Sequence, residues 1–183
     1  MKDLDITDFI EEQKKLKVRE RRLRDFELFA VRFLAVIVLV WALLYFFVGF
    51  TAMNGNGMYP RIDGGDLLLF YRLDREPVAQ DVIVFEHEGE RFVGRVTAIP
   101  GDTVEVTEDN ALIINGSVQI ESNIFYPTPL YDSDVVFPLT LGQDEYFVLS
   151  DNRTEGMDSR WFGPVSQKDI EGTVISILRR NHL

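Results

Sequence analysis

The sequence contains no cysteine, which excludes disulfides, thiolate metal sites and a cysteine nucleophile. Lysine is nearly as scarce where chemistry is to be sought. After Met53 only Lys168 carries an amine, and His87 and His182 are the chain's only imidazoles. His87 stands in the charged stretch Glu86-His87-Glu88-Gly89-Glu90, which reads as a solvated turn. Positive charge is lacking in general there: residues 54–183 hold ten Lys/Arg against twenty-two Asp/Glu, within a formal net charge of −11. An acidic body of this kind repels phosphate backbones, so nucleic acid is excluded as a partner. Internal repeats and low-complexity segments are absent too. The length of 183 residues suits one modest domain with accessory segments.

Charge is missing altogether from Phe33 to Met53, a run of twenty-one residues that also lacks proline. As a helix rising ~1.5 Å per residue it spans about 30 Å, the thickness of a bilayer core. A cleavable signal peptide has a shorter apolar core and a small-residue cleavage site. Here thirty-two residues precede the run, and Thr51-Ala52-Met53 is a poor site. Residues 33–53 are therefore expected to be an uncleaved anchor in contact with membrane lipid. Eight basic residues lie within twenty positions before it (Lys14, Lys15, Lys17, Arg19, Arg21, Arg22, Arg24 and Arg32), against Arg61 and Arg72 after it. That asymmetry places residues 1–32 in the cytoplasm and residues 54–183 outside it. The cytoplasmic segment is charge-rich, and Glu11/Lys15 and Glu20/Arg24 have the i, i+4 order that supports a helix.

Beyond the anchor the period becomes that of strands. Short runs rich in Val, Ile, Leu and Phe occur at 67–73, 82–85, 92–99, 103–106, 111–114, 118–120, 146–149 and 173–178, punctuated by turn residues. Asn115-Gly116 between two apolar runs signals a tight hairpin, because such a turn needs positive φ twice. Gln167-Lys168-Asp169 suits a short helical turn. The body is expected to be mainly β.

The most informative stretch is Ser150–Gly163, SDNRTEGMDSRWFG, which leaves the apolar run Tyr146–Leu149. Taken alone it is a polar loop cross-tied by Asp151, Arg153, Asp158 and Arg160, whose guanidinium groups oppose cation binding. No metal or cofactor is implied. Its residue order resembles the last signature box of type I signal peptidases, roughly G-D-N-R-x-x-S-x-D-S-R-x-F-G. Three further boxes of that family follow the anchor in order. Gly55–Arg61 resembles S-x-S-M-x-P-T through Met58 and Pro60; Gln80–Phe85 resembles G-D-[IV]-[IV]-V-F; Val93–Asp102 resembles V-K-R-V-x-G-x-P-G-D through Arg95, Val96, Pro100, Gly101 and Asp102. The resemblance implies a single transmembrane helix followed by a mainly β signal peptidase-like catalytic core, with residues 106–144 as its variable second subdomain.

It also implies a catalytic site that this chain does not fill. The family's nucleophilic Ser falls at Gly57, its general-base Lys at Gly94, and the Ser that orients the Lys at Gly156. A Ser–Lys dyad needs a hydroxyl and a neutral amine beside it. Glycine supplies neither. The expectation is a pseudoenzyme with no catalytic residues, whose peptide groove survives and is walled by Met58, Pro60, Phe92, Arg95, Val96, Asp158 and Arg160. Catalytically incomplete signal peptidase-like proteins are encoded with pilins and sortases in streptococci, and the resemblance points there. It implies a peptide-binding accessory in pilus or surface-protein assembly, with a pilin or other secreted precursor, and a sortase, as partners. Alternatives are a regulatory subunit of an active signal peptidase or sortase, an active peptidase with a displaced dyad, and a decayed paralogue without a partner.

Overall fold

The computed structural model describes residues 6–122 and 124–179. The first five residues and His182 lie outside the described residues. The chain divides into two compact units, Met1–Tyr45 and Phe46–Leu183.

Helix α1 runs without a break over Ile6–Phe47. The i, i+4 pair Glu11–Lys15 lies at 3.8 Å on its charged part. Further along, Leu34, Trp41 and Leu44 are all more than half exposed, so the apolar side chains face outward on every side. A helix that is apolar all round and unburied is one suited to lipid. It is long and apolar enough to cross a membrane.

The helix ends earlier than the sequence suggests. Residues expected to complete the anchor, Val48–Ala52, form strand β1, antiparallel to β2 (Leu67–Tyr71). The expected boundary at Met53 is therefore corrected to Phe47. The physical reason is local: Gly49 lies opposite Phe70, whose ring sits so close that no Cβ would fit at 49. An aromatic laid over a strand glycine restores the packing that glycine lacks. Apolarity alone cannot distinguish this strand from the end of the helix.

The other strands are β3 (Val82–His87), β4 (Glu90–Ala98), β5 (Thr103–Val106), β6 (Leu112–Ile114), β7 (Ser117–Val118), β8 (Leu139–Thr140), β9 (Glu145–Leu149), β10 (Val165–Ser166) and β11 (Ile170–Leu178). A single-turn helix α2 covers Ser159–Phe162, and Gln167–Asp169 forms a 3-10 turn. Seven strands make the main sheet in the order β1-β2-β11-β3-β4-β9-β10, so β11 joins β2 to β3. A smaller sheet has the order β7-β6-β5-β8. All pairings are antiparallel, and the fold is mainly β as expected. The β6–β7 hairpin turns at Asn115-Gly116, both with positive φ.

Strand β9 shows how the core is shared. Its side chains alternate across the sheet. Tyr146 and Val148 enter a cluster with Ile83, Phe85, Val96 and Ile170, while Phe147 and Leu149 enter another with Ala98, Val104, Leu112 and Leu141. A third cluster, of Met53, Met58, Ile62 and Leu68, lies under the segment after β1. Strand β9 is thus buried on both faces, and the polar loop that follows is launched from the most constrained part of the domain.

Candidate functional site

The loop from Ser150 to Asp158 is tied down by three arginines: Arg160 makes the expected cross-tie to Asp158, while Arg95 and Arg153 link the loop to other parts of the domain. Arg95, on β4, clasps Asp151 with two bonds of 2.7 and 2.6 Å and donates a third, of 2.8 Å, to the Gln80 carbonyl. Asp151 holds the Arg95 guanidinium's pKa above its ordinary value, against the opposing effect of burial. Arg160 clasps Asp158 at 2.9 and 2.7 Å. Asp158 also caps α2 by accepting from the Arg160 N–H, and it accepts from the Ser150 N–H at 3.0 Å. Arg153 reaches away from the loop's acids, to Glu121 and Thr128, and donates to the Ser150 carbonyl. Arg153 and Arg160 are fully buried. Charges so buried need partners at nearly every donor, and these have them.

This framework holds a shallow cavity of about 230 Å³. One side is Thr51–Gly57, the end of β1 and its continuation; the other is Glu90–Val93 of β4; Ser150, Gly156 and Met157 close the end. Strand β4 pairs with β9 only from Arg95 onward, so on that flank residues 90–94 have no strand partner among the described strands. Unpaired strand edges are where an extended peptide adds. The Asn152 N–H donates to the Gly57 carbonyl at 2.9 Å, fastening one wall to the loop.

The three glycines differ in what surrounds them. A Cβ on Gly57 would meet nothing closer than Ser150 Oγ at 3.6 Å, with the Gly156 Cα at 3.7 Å. These are ordinary contacts, so position 57 has room. A Cβ on Gly94 would lie 2.5 Å from Val148 Cγ1 and 3.6 Å from Phe85 Cε1. That position is filled by the core. A Cβ on Gly156 would run into the Ser150 side chain. Ser150 is 3 % exposed, and its hydroxyl lies beside Gly57 and Gly156. Positions 57, 150 and 156 are therefore brought together.

Of the expected groove walls, Phe92 lines the cavity. Met58, Arg95, Val96, Asp158 and Arg160 are buried behind it, and none of them, nor exposed Pro60, lines it. They brace the walls rather than present a surface. Lys168 lies in the 3-10 turn before β11 and does not line the cavity either. His87 departs from its expected place in a solvated turn: it ends β3 and stacks on Phe162 with ring centroids 4.2 Å apart. The glutamates around it in sequence hide this aromatic contact. Sequence reasoning missed Ser150 and Val148 as site residues. The signal for the first was present, since Ser150 stands where the boxes have Gly, and Gly156 where they have Ser.

Comparison with known proteins decides the family. The sequence pattern of the family described as "Signal peptidase, peptidase S26" matches residues 26–178. The chain belongs to this signal peptidase family. It is 33 % identical over 156 residues to signal peptidase I of Bacillus caldolyticus, covering 78 % of this chain and 85 % of that protein. Signal peptidase I P of Bacillus subtilis subsp. natto is 30 % identical over 151 residues, covering 76 % and 81 %. A probable thylakoidal processing peptidase 2 of Arabidopsis thaliana is 32 % identical over 134 residues, 66 % of this chain but only 35 % of that longer protein. A crystal structure of signal peptidase I from Enterococcus faecalis V583 aligns at a TM-score of 0.48 and 32 % identity, covering 56 % of this chain and 99 % of the other.

Proposed function

We propose that this signal peptidase family member is a membrane-anchored pseudoenzyme that holds an extended segment of an exported protein without cleaving it. The observation that carries this reading is position 94. A lysine there must begin where Val148 Cγ1 now packs. An amine cannot be restored without moving a β-branched residue of the core. The groove itself keeps its open β4 edge and its fastening to Gly57. In this reading residues 33–47 of α1 are the anchor, residues 1–32 are cytoplasmic, and the β domain meets its client outside. The client is a pilin or another secreted precursor, delivered onward to a sortase.

A second reading is an active peptidase. It is favoured by the names of the relatives, signal peptidase I, and by the Ser150 hydroxyl lying beside Gly57. Neither lysine nor histidine lines the groove to serve as its base, and the carboxylates that do line it are Glu90 and Glu155.

One experiment separates the two. The purified full chain is incubated in detergent with a preprotein bearing a signal peptide, and the same chain in cells carries a photoreactive residue at Gly57 or Met157. We expect no mature product, and capture of a secreted precursor from both positions. Mature product that disappears in Ser150→Ala would establish the active enzyme instead. Capture only from the domain's outer acidic face would point to a regulatory subunit.

A further inference from the structure

A larger cavity, of about 850 Å³, adjoins the groove and shares Glu90, Phe92 and Met157 with it. Its floor is aromatic. Phe162 stacks on His87 and lies 5.9 Å from Phe92 between ring centroids. One wall is Trp161, held by a column of flat groups: it stacks on Tyr131 at 4.4 Å, and the Arg160 guanidinium sits 4.6 Å from the centre of the Tyr131 ring. Arg160 is in turn locked by Asp158. Trp161 is thus fixed in place yet 41 % exposed. Met157 and Val136 form an apolar lip, exposed by 58 % and 78 %.

The rim has one sign of charge. Glu88, Glu90 and Asp134 line the cavity, are exposed, and form no ion pair among the described residues. Neither lysine nor arginine lines it. Glu88 lies in, and Glu90 directly follows, a tight turn in which Glu88 and Gly89 both have positive φ, so their backbone is set before any ligand arrives. An anion would be repelled from this cleft. A neutral apolar segment would suit the floor but strip water from three carboxylates without replacing it. A lysine or arginine satisfies both parts: its aliphatic stem lies on Phe92 and Met157, and its charge reaches the carboxylates and the face of Trp161.

We propose that this cleft is a subsite for one cationic side chain of the peptide lying in the adjoining groove. The inference rests on the peptide-holding reading above and adds a charge requirement to it. The client segment must carry a lysine or arginine just beyond the stretch that lies along the β4 edge.

The test uses the full chain in phosphatidylcholine nanodiscs, whose neutral lipid does not attract basic peptides. Trp41→Phe leaves Trp161 as the single tryptophan reporter. Capped, extended peptides of one alanine- and valine-based sequence carry a single Lys, Gln or Glu, moved position by position. At one position the Lys peptide is expected to bind about tenfold more tightly than its Gln counterpart. It should shift Trp161 emission and lose its advantage as salt is raised. The exposed, isosteric replacements Glu88→Gln, Glu90→Gln and Asp134→Asn together should equalise the peptides while leaving the circular dichroism spectrum unchanged. Equal binding of Lys and Gln peptides to the unaltered protein, or a Lys preference that persists in the triple variant, overturns the subsite and leaves the groove standing. Binding of none of the peptides overturns the peptide-holding reading and the subsite with it.

Discussion

Ser150 stands where a side chain on residue 156 would begin. The two positions exchange contents relative to the family's last box, which has Gly first and Ser second. A hydroxyl is thus kept at the end of the groove, but it now issues from the strand side of the loop. A swap of this kind makes each residue the condition for the other.

Gly156→Ser alone should therefore destabilise the domain by about 1–3 kcal/mol, the usual cost of overpacking a filled site. Adding Ser150→Gly should recover most of that loss. Urea denaturation of the two single variants and the double variant gives the coupling. Additive effects would show that the two side chains do not compete for one space.

The same logic applies to Gly94 and Val148. Gly94→Ala should cost about 1–3 kcal/mol. Val148→Ala should be less harmful in that background than in the unaltered chain, because it vacates the space the new methyl needs. If the cost of Gly94→Ala is the same with and without Val148, the crowding is not real and a lysine at 94 becomes plausible again.

Arg95 and Asp151 are 7 % and 2 % exposed. Removing one member of such a pair leaves a buried charge alone, at a cost of roughly 3–5 kcal/mol. Arg95→Met should thus unfold at markedly lower denaturant. The double variant Arg95→Met/Asp151→Leu should be closer to the parent than either single variant. Failure of the double variant to recover would mean that the bond to the Gln80 carbonyl, rather than the ion pair, sets the stability.

Tyr146 gives a pH dependence. Burial, reinforced by Glu76, Asp144 and Asp74, raises its phenol pKa above the ordinary value. The folded state then holds the proton more firmly than the unfolded chain. The resulting stabilisation is present in full below a pH of about 10 and is lost as pH rises through the folded value. Thermal unfolding measured across that alkaline range should fall less steeply for Tyr146→Phe than for the parent. Parallel slopes would place the tyrosine in a solvated setting.

Much of this was legible in the sequence, for physical reasons that also mark where legibility ends. The runs at 82–85, 103–106 and 146–149 announced buried strands because short apolar runs rich in β-branched or aromatic residues and bounded by turn signals are local properties. Asn115-Gly116 announced its turn for the same reason. Val48–Ala52 was not separable from the anchor, because a strand buried by an aromatic across the sheet and a lipid-facing helix are both simply apolar. In the site, the glycines at 57, 94 and 156 were visible as missing groups. What had moved into their places was not. Val148 pairs with Val96, and its side chain reaches diagonally to Gly94, 54 residues away in sequence, so only the register of β4 on β9 brings them together. Likewise Arg153 was readable as a loop residue, but its partner Glu121 lies in residues 106–144, the stretch expected to be variable.

The placement of β11 sets the order in which this domain can be completed during synthesis. It bonds β2 on one edge and β3 on the other, so the hairpin of β1 with β2 and the sheet built on β3 have no strand bonds to each other until it arrives. Among the described strands β11 is the last to be synthesised. A chain in which β11 is not yet in place therefore carries two half-sheets with open edges. The walls of the groove lie one in each half. Contacts so distant in sequence form slowly. The groove is accordingly a feature of the completed sheet rather than of either half.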